Sequence, residues 1–180
     1  MPKIIKDARK SILQAAKTQL LESGYNHFSM RAIASECSIA VGTLYNYFPS
    51  KLTMIASVMM EDWEQSLMNM KEGCADVDNI FDGFSVIYNN ICSFANIYRD
   101  CWAQYKIGNP DFADDTDRHS VLVGQLKALV EELISRFGYQ DCLSLSSLLA
   151  ELILAAAIGS RISADEVRLL AYKLFPQEAK

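Results

Sequence analysis

A chain of 180 residues, 51% of them hydrophobic, is long enough to bury a core in one or two small domains. Its net charge of −5 excludes a uniformly basic nucleic-acid binder, but the charge is unevenly spread. Residues 1–51 carry seven basic side chains (Lys3, Lys6, Arg9, Lys10, Lys17, Arg31 and Lys51) against Asp7, Glu22 and Glu36, a net +4, while the rest holds ten basic against nineteen acidic residues, a net −9. That split predicts a phosphate-facing head on an acidic body.

In chain order the pattern is helical throughout, with no credible strand. Ile5, Ala8, Ile12, Ala16 and Leu20 recur at steps of three and four, one face of a first helix that Gly24 ends. Ser29 can cap a second helix whose inner face holds Ile33, Ala34 and Cys37. Residues 38–40 form a turn and residues 41–47 a third helix. Pro49 and Ser50 mark a restart, with Ser50 as the cap. A long fourth helix carries Leu52, Ile55, Ala56, Met59, Trp63, Leu67 and Met70 on one stripe. A fifth carries Ile80, Phe84, Ile87, Tyr88, Ile91, Ala95 and Tyr98, and residues 100–106 read as a short sixth, broken by Gly108, Asn109 and Pro110. Leu122, Leu126, Leu129, Val130, Leu133, Ile134 and Phe137 define a seventh helix, ended at Gly138. An eighth runs from about Cys142 to Gly159, and a ninth opens with Ser163 and Glu166 in a capping box. The expected fold is all-α, with about nine helices. Residues 1–51 form a helix-turn-helix head, and residues 52–180 form a helical bundle.

The chemistry concentrates in residues 29–51. A helix, a tight turn and a second helix bearing small, aromatic and basic groups is the layout of a helix-turn-helix DNA reader. The start of the third helix offers free N–H groups and the positive end of the helix dipole to a phosphate. Gly42 and Thr43 are small enough for close approach, and Thr43 can donate its hydroxyl. Tyr45 and Tyr47 can bond phosphates or pack on thymine methyls. Asn46 can read a base edge, or can equally be solvated. Ser29 and Arg31 open the second helix, where Arg31 suits bidentate reading of guanine, or else a surface ion pair. Lys51 at the start of the fourth helix can neutralise a phosphate. Leu44 and Phe48, four apart, should face inward onto Ile33, Ala34 and Ile39.

These residues, above all the run Gly42-Thr43-Leu44-Tyr45-Asn46-Tyr47-Phe48-Pro49-Ser50-Lys51, resemble the TetR family of bacterial transcriptional regulators. The resemblance covers about a quarter of the chain. It implies an all-helical homodimer with an N-terminal DNA-binding domain and a C-terminal domain that dimerises and binds a small effector. It further implies a repressor of a palindromic operator, with Arg31, Thr43, Tyr45, Tyr47 and Lys51 at positions the family uses on DNA. Two positions depart from the pattern. Ser38 stands in a turn slot that usually holds glycine, and Ala40 stands where a serine or threonine often caps the reader helix.

Elsewhere the residues suggest less. Cys37, Cys74, Cys92, Cys101 and Cys142 form no C-x-x-C pair and read as reduced, mostly buried thiols. Asp111, Asp114, Asp115, Asp117 and His119 lack the spacing of a calcium loop and read as a solvated segment, not as a metal site. His27 is likewise not expected to bind metal. No nucleophile–base pair or phosphate loop argues for catalysis, and no cofactor is expected. The polar, basic residues 1–10 do not read as a cleavable signal. The apolar run of residues 143–158, interrupted by Ser144, Ser146, Ser147 and Glu151, falls short of the ~20 residues of a membrane span, so a cytoplasmic protein without a membrane partner is expected.

Residues 148–158 are apolar nearly all round and need cover on more than one side, which predicts a homodimer through the two C-terminal helices. A two-fold dimer would place its reader helices about one DNA turn apart (~34–36 Å). Trp63, Phe84, Tyr88, Trp102 and Tyr105 are the candidate lining of an apolar or aromatic effector site; aromatics at helical spacing are otherwise core. The switch expected from the resemblance is a tilt of the fourth helix on effector binding. The rival reading is a DNA-associated interaction module controlled by a partner protein.

Overall fold

The structure, a computed structural model, describes the backbone of residues 8–108, 116–159 and 162–176, and the side chains of residues 8–101, 119–159 and 162–176. The regular structure among these residues is all helical: α1 (Ala8–His27), α2 (Met30–Glu36), α3 (Val41–Tyr47), α4 (Lys51–Ala75), α5 (Ile80–Gly108), α6 (Thr116–Arg136), a 3-10 helix (Gln140–Leu145), α7 (Ser146–Ala157) and α8 (Ala164–Leu174). The chain divides into two compact units. One comprises Met1–Glu64 and Ile97–Asp111, the other Gln65–Asn96 and Phe112–Lys180. The first unit therefore continues past Lys51 into α4 and takes in the end of α5.

Among the described residues the expected count of about nine helices becomes eight α-helices, because the expected fifth and sixth are one. Ile91, Ala95, Tyr98 and Cys101 are all buried at steps of four and three, so the inward stripe crosses residue 100 without a break. The expected eighth helix is in turn divided, beginning as a 3-10 helix and becoming α-helical at Ser146. By composition residues 140–157 could span a bilayer, at a mean hydropathy of 1.3. The α-helical part, however, is 12 residues. That is about 18 Å of helix against ~30 Å of hydrocarbon.

In the first unit α1 buries Ile12, Leu13, Ala15, Ala16 and Leu20. Ile5 of the expected stripe lies outside the described residues. Gly24 breaks the helical path at φ 74°, ψ 175°, a conformation that glycine adopts without a Cβ penalty. On α4 the inward stripe shifts: Met54, Ile55, Val58 and Trp63 are buried, while Leu52 is exposed. Three contacts of charged side chains tie this unit together. Lys17 Nζ donates to Asp62 Oδ1 at 2.6 Å, Arg9 pairs with Glu61 at 3.4 Å, and the Arg9 guanidinium lies 5.5 Å from the Phe48 ring centre.

In the second unit α5 and α6 approach closely at Gly83, where a Cβ would come within 2.6 Å of Leu133 Cδ2. Arg136 donates to the carbonyls of Cys74 at 2.6 Å and Val77 at 2.9 Å, holding the C-terminal end of α4. Phe175 is fully buried between Phe84 and Tyr139, at ring separations of 5.5 and 5.0 Å. The expected capping box is present: Ser163 Oγ accepts from Glu166 N–H, and the Glu166 carboxylate accepts from Ser163 N–H. These hydrogen bonds hold the Glu166 carboxyl below its ordinary range.

Candidate nucleic-acid interface

The reader is built from α1, α2 and α3, each packed on the next. Ser29, in extended conformation, accepts from Ala32 N–H at 3.3 Å, and its own N–H donates to Gln19 Oε1 of α1 at 2.7 Å. The N-cap thus also fixes where α2 starts against α1. Ile33 and Ala34 of α2, Leu44 of α3 and Phe48 just after it are buried, as the four-residue spacing predicts.

The turn between α2 and α3 is a Schellman motif. Ile39 N–H donates to Ala34 O at 2.9 Å and Ser38 N–H to Ser35 O at 3.0 Å. The residue forced into the left-handed region is Ser38, at φ 54°. The same motif closes α6, with Tyr139 N–H on Ile134 O and Gly138 N–H on Ser135 O, and there the left-handed residue is a glycine at φ 83°. The protein uses the ordinary residue at one of these turns and a strained one beside its reader. Ala40, the N-cap of α3, contributes no side-chain bond, as its residue type requires.

With Leu44 turned inward, α3 presents Gly42, Thr43, Tyr45, Asn46 and Tyr47 to solvent, and Arg31 is exposed on the first turn of α2. Tyr45 and Tyr47 are each 45% exposed, unusual for phenols on a packed domain. Arg31 forms no ion pair among the described residues. Gly42 is not explained by the fold: a Cβ there would meet nothing within 4 Å, and its φ is not positive. Helical glycine costs roughly 0.5–1 kcal/mol relative to alanine, so the smallest side chain is kept where this chain offers no neighbour.

Lys51 is placed differently from its seven companions. Its ammonium donates to the carbonyl of Tyr25, lies 4.0 Å from the centre of the Tyr25 ring and 5.6 Å from that of Phe28. Burial lowers its pKa; Cys101 acts weakly in the opposite sense. Sequence reasoning missed this contact because its partners lie 26 and 23 residues away.

The residues expected to line an effector site are not gathered into one unit. Trp63 is buried in the first unit. Phe84 and Tyr88 belong to the second, where Phe84 packs on Phe175. The side chains of Trp102 and Tyr105 lie outside the described residues, as do Asp111, Asp114 and Asp115 and the side chain of Asp117. His119 is described and pairs with Glu151 at 3.0 Å.

The capped α2, the Schellman turn and an α3 exposing small and phenolic groups define a helix-turn-helix DNA-binding domain. The profile of "Bacterial regulatory proteins, tetR family" matches residues 12–58, which span α2, α3 and parts of α1 and α4. The chain is 42% identical over 60 residues to the HTH-type transcriptional repressor KstR of Rhodococcus jostii (strain RHA1), a match covering 33% of this chain and 28% of that protein. It is 39% identical over 64 residues to the HTH-type transcriptional regulator UidR of Escherichia coli (strain K12), covering 36% of this chain and 33% of that protein. These curated relatives are thus matched over a third of their length or less. The fold as a whole is similar to that of RolR in complex with the ligand resorcinol, at a TM-score of 0.59 and 16% identity, covering 93% of this chain and 85% of that one.

Proposed function

We propose that this protein is a DNA-binding transcriptional regulator, a repressor that holds a palindromic duplex as a homodimer and releases it on binding a small apolar or aromatic effector. The observation that carries the DNA reading is α3 itself. It spends a helical glycine with no neighbour and exposes two tyrosines and Thr43 on one short helix. Thr43, Tyr45 and Tyr47 would grip the backbone and thymine methyls, and Ser29, Arg31 and Asn46 would lie at the edge of the groove, with Arg31 reading guanine.

The dimer reading is supported by α7 and α8. Leu148, Ile158, Leu169 and Tyr172 leave large apolar surfaces in solvent. The effector reading rests on the ligand-bound RolR neighbour, and the repressor reading on the name of the KstR relative.

Selection of fragmented genomic DNA by the purified protein, at near-physiological salt, tests the proposal. Enrichment of a palindrome is the expected result. Recovery of no preferred sequence, with Tyr45→Ala indistinguishable from wild type, would remove the reader role of α3. Arg31→Ala should relax base preference at one position of each half-site, and equal loss of affinity on every sequence would take base reading away from Arg31.

A further inference from the structure

Phosphate neutralisation is what the sequence assigns to Lys51, and the structure gives its ammonium another occupation. Gly24 breaks the path of α1, and the next residue, Tyr25, offers Lys51 both its carbonyl oxygen and the face of its ring. Phe28 supplies a second ring. Lys51 is the first residue of α4. The contact therefore joins the end of α1 to the start of α4, and residues 28–50, which include the whole of α2 and α3, form the loop of chain closed between them. Ser29 is pinned to Gln19 at one end of that loop, and Ser50 caps α4 through Thr53 N–H at the other.

We infer that Lys51 is a positioning residue of the DNA reader. It clamps the last turn of α1 to the first turn of α4, and so holds α2 and α3 in place, without neutralising a phosphate. The inference rests on the DNA-binding reading above. The half-buried site, which already disfavours the charged form, agrees with a cation committed to a carbonyl and two rings and not to an open groove.

The two roles separate in a salt series. Binding of the full chain to a fluorescent duplex carrying the selected palindrome is measured for wild type, Lys51→Met, Tyr25→Leu and the double variant, alongside thermal unfolding of each. A mixed-sequence duplex is the probe if nothing is selected. A clamp predicts that Lys51→Met weakens binding about ten-fold at every salt concentration, with log K against log salt parallel to wild type. It also predicts that Tyr25→Leu and Lys51→Met are not additive, in affinity or in unfolding midpoint. A slope flatter by about 0.9 for Lys51→Met would mean that a phosphate contact was lost, and would overturn the inference. Additive effects, or an unchanged unfolding midpoint for Lys51→Met, would overturn it as well. Should wild type bind no duplex, the DNA-binding reading fails, and the unfolding cycle alone decides the clamp, coupling sustaining it and additivity removing it.

Discussion

The buried hydroxyl of Tyr98 donates to Asp62 Oδ2 at 2.5 Å, while Lys17 Nζ donates to the other oxygen of the same carboxylate at 2.6 Å. One side chain of α4 thereby joins α1 to α5. Hydrogen bonds to charged groups contribute about 1.5–3 kcal/mol, so Tyr98→Phe should lower stability by that amount in urea unfolding. The effect also has a pH signature. Burial, and then the bond to Asp62, raise the phenol's pKa above its ordinary value of 10.0. Above about pH 10 the unfolded chain has released a proton that the folded chain still holds, so this contribution is complete below pH 10 and declines as pH rises past it. The alkaline limb of the stability curve should be less steep in Tyr98→Phe than in wild type. Identical limbs would show that the hydroxyl is not held.

Gly42→Ala separates folding from recognition. With open space at its Cβ position, alanine should raise stability by roughly 0.5–1 kcal/mol. The same methyl should weaken duplex binding, because it stands where the groove must come close. A variant that gains stability and keeps full affinity would leave the glycine without an explanation.

Ser38→Gly should relieve the left-handed strain at φ 54°. Left-handed backbone costs an ordinary residue roughly 1–2 kcal/mol, less what glycine gives back by freeing the unfolded chain. A net gain of about 0.5–1 kcal/mol in the urea midpoint is expected. Loss of stability would mean that the Ser38 side chain makes good the strain locally.

Leu169, 62% exposed on α8, is the largest departure from a solvated surface on that helix. If α8 forms the proposed dimer interface, wild type should be a dimer at micromolar concentration in light scattering and Leu169→Glu a monomer, with far-ultraviolet circular dichroism unchanged. A variant that remains dimeric would move the interface elsewhere.

The reader was legible in the sequence because its determinants are local. Ser29 and Ser50 cap helices three residues downstream, Gly24 needs a positive φ, and Leu44 and Phe48 are one turn apart. The strain at Ser38 was legible for the same reason, since a four-residue turn dictates its own dihedrals. The fused α5 was also readable, had the steps Ile91, Ala95, Tyr98 and Cys101 been followed through Asp100. Two features had no local signal. The bond from Lys51 to Tyr25 depends on how α1 and α4 meet, and the assignment of Trp63 to one compact unit and of Phe84 and Tyr88 to the other depends on where the units divide within α4 and α5. Periodicity reports which face of a helix is buried, not which neighbour buries it.

The pair of unoptimised positions flanking the reader, Ser38 in its strained turn and Ala40 without a capping side chain, has a practical meaning for sensor engineering. Both lie outside the face that α3 exposes, so stabilising replacements there need not alter which sequence is read. Substitutions of this type are typically worth about 0.5–2 kcal/mol each. They offer a margin of robustness that can be installed before any residue of the interface is redesigned, and against which the destabilising cost of new specificities can later be set.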